Sequence, residues 1–502
     1  MTALLERARS STGERARREH RLAAPLLVGL LGLVISLAST TVPSVWYDEA
    51  ATITAATRDW GQLWAMVAHV DAVHAAYYAM MHLVFDVVGY SPLSLRAPSA
   101  VAIGIAAALA VVLARMFDRP RLGVIAGIVF CLLPRTIWAG AEGRSYALTA
   151  ALALLMTVLL VLAARSGSRL HWAFYAVAVV ASCLVFVYLA LIVVAHAVTL
   201  AWWVVASRRA AMPSVARWLG WTALSILVVL PFFLLVRGQS GQVNWIERPG
   251  AATGRQVFQT QWFMFDRPYA AVGWVLLVAG AAVLVRRSRA LSLGAVALPV
   301  LVVPTAALLL VSVSYIPVYT PRYLTMCVPF AALVIGAAVD AVRPRLVAVV
   351  ALAALVALAV PQFRELRAPE AKDHSSWSQV ADVIADDRAE LGDPATAIIY
   401  GTVKRHLTAS SRVIAYAYPE AFENTVDVNI DTPAAETGRL WETRIPLAEG
   451  MPRLAGTDVA YLVTGITRDR RAAVTEVLAG AGWHVSEEWS LTWVNVLRFE
   501  RD

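Results

Sequence analysis

The chain has 502 residues, 59% of them hydrophobic and 16% charged, with a mean hydropathy of +0.63. Soluble domains are roughly half apolar and about a quarter charged, so these proportions exclude an ordinary soluble enzyme and indicate an integral membrane protein. The net charge of +8 rests almost wholly on arginine, because Lys372 and Lys404 are the only lysines. The arginines sit in short clusters between apolar runs, which is how topology signals are distributed, and no nucleic-acid partner is expected.

Arg7, Arg9, Arg15, Arg17, Arg18 and Arg21 precede the first apolar run. No convincing small-residue cleavage site precedes Val42-Pro43, so residues 1–22 are expected to form a basic cytoplasmic terminus and 23–42 an uncleaved first span. A span takes about 20 apolar residues. Further runs lie at 97–116, 122–139, 147–164, 172–188, 190–206, 218–236, 270–285, 291–311, 323–341 and 346–361. Basic clusters at the N-terminus, 115–121, 165–169, 208–217, 286–289 and 343–345 all fall on one side if eleven spans are threaded. The stretch 172–206 is flanked by clusters at both ends, so parity requires two short spans there rather than one long helix.

This topology puts the first loop (43–96), a turn at 135–146, a loop at 237–267 and a short loop at 312–322 on the outer face. Residues 363–502 also lie outside, and their composition turns polar after Pro361 and Pro369. Strand-like runs at 397–400, 459–463 and 492–499 are separated by helix-like runs at 377–390 and 470–481, which predicts a small α/β domain. The expected fold is a polytopic α-helical membrane module at 23–362 with about eleven spans, followed by an extracytoplasmic α/β domain at 363–502. Cys131, Cys183 and Cys327 all fall in apolar runs and offer neither a disulfide framework nor a cysteine metal site.

The chemistry is expected at the outer rim. Asp48 and Glu49 open the first loop, where an unpaired charge beside hydrocarbon is costly and therefore informative. His69, Asp71, His74, Tyr77 and Tyr78 follow, then Glu142, Arg144 and Tyr146, and finally Tyr315, Tyr319, Arg322 and Tyr323. A carboxylate kept ionised by a nearby cation or metal can take a proton from an alcohol, and a guanidinium suits a phosphate through two parallel hydrogen bonds. A carboxylate base with an arginine clamp is what transfer from a phosphate leaving group to a hydroxyl requires. The 237–267 loop, with Arg237, Arg248, Arg255, Arg267, Trp245 and Trp262, is a candidate lid over lipid phosphate or acceptor.

In order along the chain, Asp48-Glu49, His74-Ala75-Ala76-Tyr77-Tyr78, 89–100, Pro134, 142–148 and Pro321-Arg322-Tyr323-Leu324 with Pro329 resemble one glycosyltransferase group. These are the GT-C enzymes related to protein O-mannosyltransferases and the lipid A aminoarabinose transferase. The likeness is good over residues 40–165 and holds only in outline through the middle of the chain. It departs at His-Ala-Ala-Tyr-Tyr, where the group usually has His-Pro-Pro-Tyr-Tyr.

The resemblance implies a polyprenyl-phosphate-sugar donor, an extracytoplasmic acceptor (glycolipid, polysaccharide or protein) and inversion at the anomeric carbon. It implies Asp48 as catalytic base, with Glu49 orienting it or helping to hold a metal. Arg144, Arg322 and Tyr323 are expected at the donor phosphate. His74, Tyr77, Tyr78, Glu142, Tyr146 and Trp245 are expected at substrate or acceptor. No cofactor is certain; a divalent metal on Asp48, Glu49 and His74 is possible, although their spacing is not diagnostic. Mannose is the expected sugar by analogy, with arabinose behind it. The rival expectation is a transporter of lipid-linked sugars, which would place polar groups at mid-membrane depth.

Overall fold

A computed structural model describes residues 22–287, 290–403 and 408–501. The chain divides into two compact units: Met1–Ala38 with Arg96–Arg364, and Ser39–Leu95 with Glu365–Asp502. Each is described by itself below, and residues 1–21 of the basic terminus expected at 1–22 lie outside the described residues.

The described residues of the first unit are mostly helical. Its apolar helices are α1 (Leu22–Leu37), α2 (Pro92–Arg115), α3 (Pro120–Leu132), α4 (Tyr146–Ser166), α5 (Arg169–Val185) and α6 (Val187–Ala206). They continue with α7 (Arg208–Gly238), α8 (Arg267–Arg286), α9 (Leu293–Ser314), α10 (Pro321–Ala341) and α11 (Arg345–Glu365). Eight of these are long and apolar enough to cross a membrane; α1, α3 and α5 are shorter. Every run expected to span therefore forms a helix, but eleven full-length spans are not what the lengths give.

The reasons are local. The run expected at 122–139 stops at Leu132, because Leu133 is extended (φ −65°, ψ 130°) ahead of Pro134, and a separate helix, Pro134–Ala139, follows. At 13 residues, α3 rises only about 20 Å, against roughly 30 Å of hydrocarbon. The stretch 172–206 breaks where Phe186 turns to φ −158°, giving the two helices that parity required.

Small residues and buried polar groups fasten these helices together. A Cβ on Gly280 of α8 would lie 1.8 Å from the Val334 carbonyl oxygen of α10, so only glycine permits that approach. Gly280→Ala is expected to force the helices apart at about 1–3 kcal/mol and lower the Tm of the detergent-solubilised chain. Gly220→Ala in α7, where nothing lies within 4 Å, should leave the Tm unchanged or slightly raised; equal behaviour of the two variants would refute the packing argument. At mid-span, His196 of α6 shares its ring nitrogens with the Tyr175 hydroxyl (3.0 Å) and the Thr157 hydroxyl (3.1 Å). Trp218 Nε1 of α7 donates to the same Tyr175 oxygen (3.1 Å), so one closed network joins α4, α5, α6 and α7.

The second unit contains helices Tyr47–Ala56, Trp60–His69 and Ala75–Val88 together with a five-stranded sheet. Its strands are β1 (Thr396–Tyr400), β2 (Thr425–Asp427), β3 (Val459–Gly465), β4 (Trp483–Leu491) and β5 (Val494–Arg501), in the order β2-β1-β3-β5-β4. β1 pairs in parallel with β2 and β3, while β3–β5 and β4–β5 are antiparallel. β1 and β3 are buried along their whole length, as parallel strands covered on both faces are. Ala397, Ile399, Ala460, Leu462, Leu497 and Phe499 line one core face at alternate positions. Helix Trp377–Glu390 forms where expected, and Arg471–Ala479 nearly so.

The early loop is tied to this sheet domain by hydrogen bonds distant in sequence. Ser44 N donates to Pro369 O (2.7 Å), Val45 N to the Tyr418 hydroxyl (2.8 Å), and Trp441 Nε1 to the Tyr47 hydroxyl (2.9 Å). Buried Arg58 donates to the Arg439 and Leu440 carbonyls (2.6 and 3.1 Å), and Tyr90 donates to Ala417 O (2.7 Å). Burial pushes the Arg58 guanidinium down to about 10. The segment expected as a free outer loop is a folded layer of this unit.

Candidate functional site

In the second unit the acid pair opens helix Tyr47–Ala56. Trp46 is extended (φ −131°, ψ 177°), and both acids lie in the first turn, where the positive end of the helix dipole favours negative charge. Their environments differ. Asp48 is half-buried, whereas Glu49 is fully buried and its Oε1 accepts a 2.6 Å hydrogen bond from Lys372 Nζ. The two side chains are 4% and 0% exposed, so this is a buried, charge-assisted ion pair.

His74 ends a short 3-10 turn, Ala72–His74, with its ring 5.7 Å from that of Tyr78. Tyr77 and Tyr78 are buried in helix Ala75–Val88, and the Tyr78 hydroxyl donates to Asp71 (2.8 Å), which sits at φ +57°. That helix joins the acid-bearing one through His82 Nδ1 and Ala56 O (3.0 Å). His69 is bonded locally to Ala65 O (2.8 Å). The donor set does not fit a divalent metal well: Glu49 is committed to Lys372, and no group of three or more His, Cys, Asp or Glu gathers among the described residues.

In the first unit, Glu142 and Arg144 lie buried in the turn before α4. The Ser99 hydroxyl clamps that turn by donating to the Glu142 and Arg144 carbonyls (2.6 and 3.3 Å). Tyr146 packs edge-on against Phe186 (6.4 Å), and Tyr323 packs on Phe186 (5.5 Å) and stacks on Tyr188 (5.2 Å). The break between α5 and α6 thus supplies the ring that Tyr146 and Tyr323 share. The Arg322 guanidinium lies 5.0 Å over the Trp245 ring.

Arg135 completes this polar region. Only 3% exposed, it donates from Nε to Gln261 O (3.0 Å) and from Nη2 to Thr260 O (2.8 Å). Gln261 accepts from the Tyr319 hydroxyl (3.1 Å) and donates to Thr305 (3.1 Å). Burial pushes the Arg135 guanidinium down to about 9, and the positive charge of Arg322 pushes the same way, against Tyr146 and Tyr319. Half-buried Arg322 thus adds positive charge near the buried Arg135 guanidinium.

No family model matches the sequence, and no curated protein matches it. Solved structures do match the fold. ArnT from Cupriavidus metallidurans bound to undecaprenyl phosphate aligns with 94% of this chain and 97% of its own, at 14% identity and a TM-score of 0.56. The Archaeoglobus fulgidus oligosaccharyltransferase in complex with Zn and sulfate aligns with 94% of this chain and 72% of its own, at 10% identity and a TM-score of 0.52. The fold is GT-C-like. At these identities the likeness is one of architecture: a polytopic helical module with a strand-containing C-terminal domain.

Several contacts around these residues carried no clear signal in the sequence. Lys372 stood out only as one of two lysines, 323 positions from Glu49. Arg135 was legible as an arginine on the face expected to be poor in them. Gln261 and Tyr319 are joined by a contact across 58 positions, and nothing in their local pattern predicts it. The 237–267 segment, expected as a lid, contains short helical turns, Ser240–Val243, Thr253–Arg255, Gln256–Thr260 and Gln261–Phe263. Within it Trp262 is buried, whereas Trp245 is exposed.

Proposed function

We propose that this protein is an inverting glycosyltransferase that moves a sugar from a polyprenyl-phosphate donor to a hydroxyl of a cell-envelope acceptor. The observation that carries the reading is the division of labour in the acid pair. Glu49 is neutralised by Lys372, and Asp48 beside it is the half-buried carboxylate suited to proton transfer. The GT-C-like fold supports it, since ArnT, of that fold, binds undecaprenyl phosphate.

In this mechanism Asp48 removes the acceptor's hydroxyl proton as that oxygen bonds to the anomeric carbon. The bond from that carbon to the phosphate oxygen breaks on the opposite face, and its electron pair leaves with the polyprenyl phosphate. Asp48 ends protonated, the new linkage is inverted, and the leaving group gains negative charge. Arg144 and Arg322 stabilise that charge, with Arg135 adding to the positive field. Trp245 holds the Arg322 plane, and Tyr323 is fixed by its stack on Tyr188. His74, Glu142 and Tyr146 contact substrate, while buried Tyr77 and Tyr78 act by fixing the helix behind His74. Mannose is the proposed sugar and arabinose the alternative; the acceptor is a glycolipid, polysaccharide or protein. The N-terminus is cytoplasmic, and the C-terminal domain, spanning 363–502, is extracytoplasmic.

The transport alternative would draw on polar groups at mid-span. His196 is such a group, yet both its ring nitrogens are engaged within the helix bundle. The test is transfer by the full chain in nanodiscs, given radiolabelled polyprenyl-phosphate mannose or arabinose and a panel of envelope acceptors. Labelled product with inverted linkage is expected. Donor binding without transfer, accompanied by movement of label across a vesicle wall, would replace the enzyme reading with transport.

A further inference from the structure

The helices of the first unit border a polar cleft at the ends opposite Arg144 and Arg322. Tyr146 and Arg165 lie in the first and last turns of α4, a 21-residue helix that rises about 30 Å. Arg144 and Arg322 precede or open α4 and α10, whereas an open cleft of about 770 Å³ is lined by Arg165, by Ala337 late in α10 and by Asp118 and Arg119 after α2. Leu284 and Arg287 at the end of α8 and Leu293 and Gly294 at the start of α9 complete it. It is therefore distinct from the region around Arg144.

Its chemistry is amphiphilic. Arg119, Arg165 and Arg287 supply three cations against one carboxylate, Asp118, and the remaining walls include Leu122, Val283, Leu284, Leu291 and Leu293. Arg165 is held in place by Met116 O and by the Phe117 ring, 4.7 Å from its guanidinium carbon. Arg119, Arg165 and Arg287 are all exposed. Asp118 lies in the left-handed region at φ +57°, in the tight connection between α2 and α3 that brings Arg119 to the rim. α9 begins at the cleft with Ser292 as its N-cap, whose hydroxyl accepts from Ala295 N (3.3 Å), so the positive end of its dipole adds to the three cations. A basic cavity between membrane helices, on the arginine-rich face and with apolar walls, matches a phosphate carried on acyl chains.

We propose that this cleft binds the phosphate headgroup of an anionic phospholipid, with Arg119 and Arg287 as its ligands and Arg165, anchored by Met116 O and the Phe117 ring, as a third charge at the cleft. The site does not depend on the glycosyltransferase reading, because it lies at the opposite helix ends and its test measures binding rather than transfer. A free phosphate shares the headgroup chemistry, and the apolar walls favour the lipid.

The test is native mass spectrometry of the full chain released from nanodiscs of phosphatidylglycerol or phosphatidylcholine, with inorganic phosphate as a separate arm. Wild type is expected to retain phosphatidylglycerol and not phosphatidylcholine. Arg119→Gln with Arg287→Gln should reduce that retention about tenfold or more, while Arg343→Gln, an arginine of the same expected face outside the cleft, should not. Matching melting curves for the double variant and wild type exclude loss of fold; if they differ, the two single variants, each expected to retain less lipid, are read instead. Retention unchanged by the substitutions, or lowered equally by Arg343→Gln, would overturn the site. Displacement of the lipid by millimolar inorganic phosphate, which then remains bound, would overturn the lipid assignment.

Discussion

Asp48→Asn is expected to lower sugar transfer by roughly 10²–10⁴-fold, the usual contribution of a positioned general base. Asparagine keeps the shape of the side chain and its place in the first turn of helix Tyr47–Ala56, so the loss reports charge and proton acceptance rather than packing. The neighbouring Glu49–Lys372 pair is untouched, and Tm should stay within a degree or two of wild type. Donor binding, measured as retention of the polyprenyl-phosphate sugar, should hold, because the residues proposed for the phosphate are Arg144 and Arg322. Asp48→Glu gives an intermediate result: the base remains, but an added methylene displaces it by about 1 Å, enough to misalign a reacting pair. The decisive measurement is the initial rate at saturating donor with acceptor varied. Transfer by Asp48→Asn within a few-fold of wild type would remove Asp48 as the base and leave the fold likeness without its proposed chemistry.

The parts of this protein legible in the sequence are those set by local pattern. Apolar length marks the helices of the first unit, and arginine placement predicted a break within 172–206, which appears at Phe186. Short strand-like apolar runs located β1, β3 and most of β5. β4 escaped because Trp483–Leu491 is a sheet-edge strand carrying Glu487 and Glu488, with little apolar alternation to detect. β2 escaped because three residues are too few to show a period. The length of α3 was misjudged because an apolar run does not reveal that Pro134 interrupts it. Of the residues proposed for the chemistry, the types and order of Asp48, Arg144 and Arg322 were visible, but the contacts around them were not. Lys372 for Glu49, Trp245 for Arg322 and Ser99 for the 142–144 turn are tertiary contacts without a local signature. The burial of Tyr77 and Tyr78, expected at substrate or acceptor, could not be read from their place in the motif.

Lys372→Met is expected to be the most destabilising single change in the second unit. It keeps the length of the side chain while removing the positive charge that lies 2.6 Å from the fully buried Glu49 carboxylate. Breaking one side of a buried ion pair costs about 3–5 kcal/mol, because the remaining charge has lost its solvation and its partner together. The effect should appear as a lower Tm and faster proteolysis between Ser39 and Leu95, the segment that this pair and the Ser44, Val45 and Tyr47 hydrogen bonds tie to the C-terminal domain. Glu49→Gln with Lys372→Met removes the orphaned charge and should recover most of the lost stability, since a neutral pair of similar volume often costs little. The cycle therefore separates two roles. If the double variant regains both Tm and transfer, the pair only braces the turn that carries Asp48. If it regains Tm but not transfer, the charges of Glu49 and Lys372 contribute to the field in which Asp48 works. If Lys372→Met alone melts with wild type, the 2.6 Å contact does not fix the turn, and the positioning of Asp48 must come from the Ser44–Tyr47 hydrogen bonds instead.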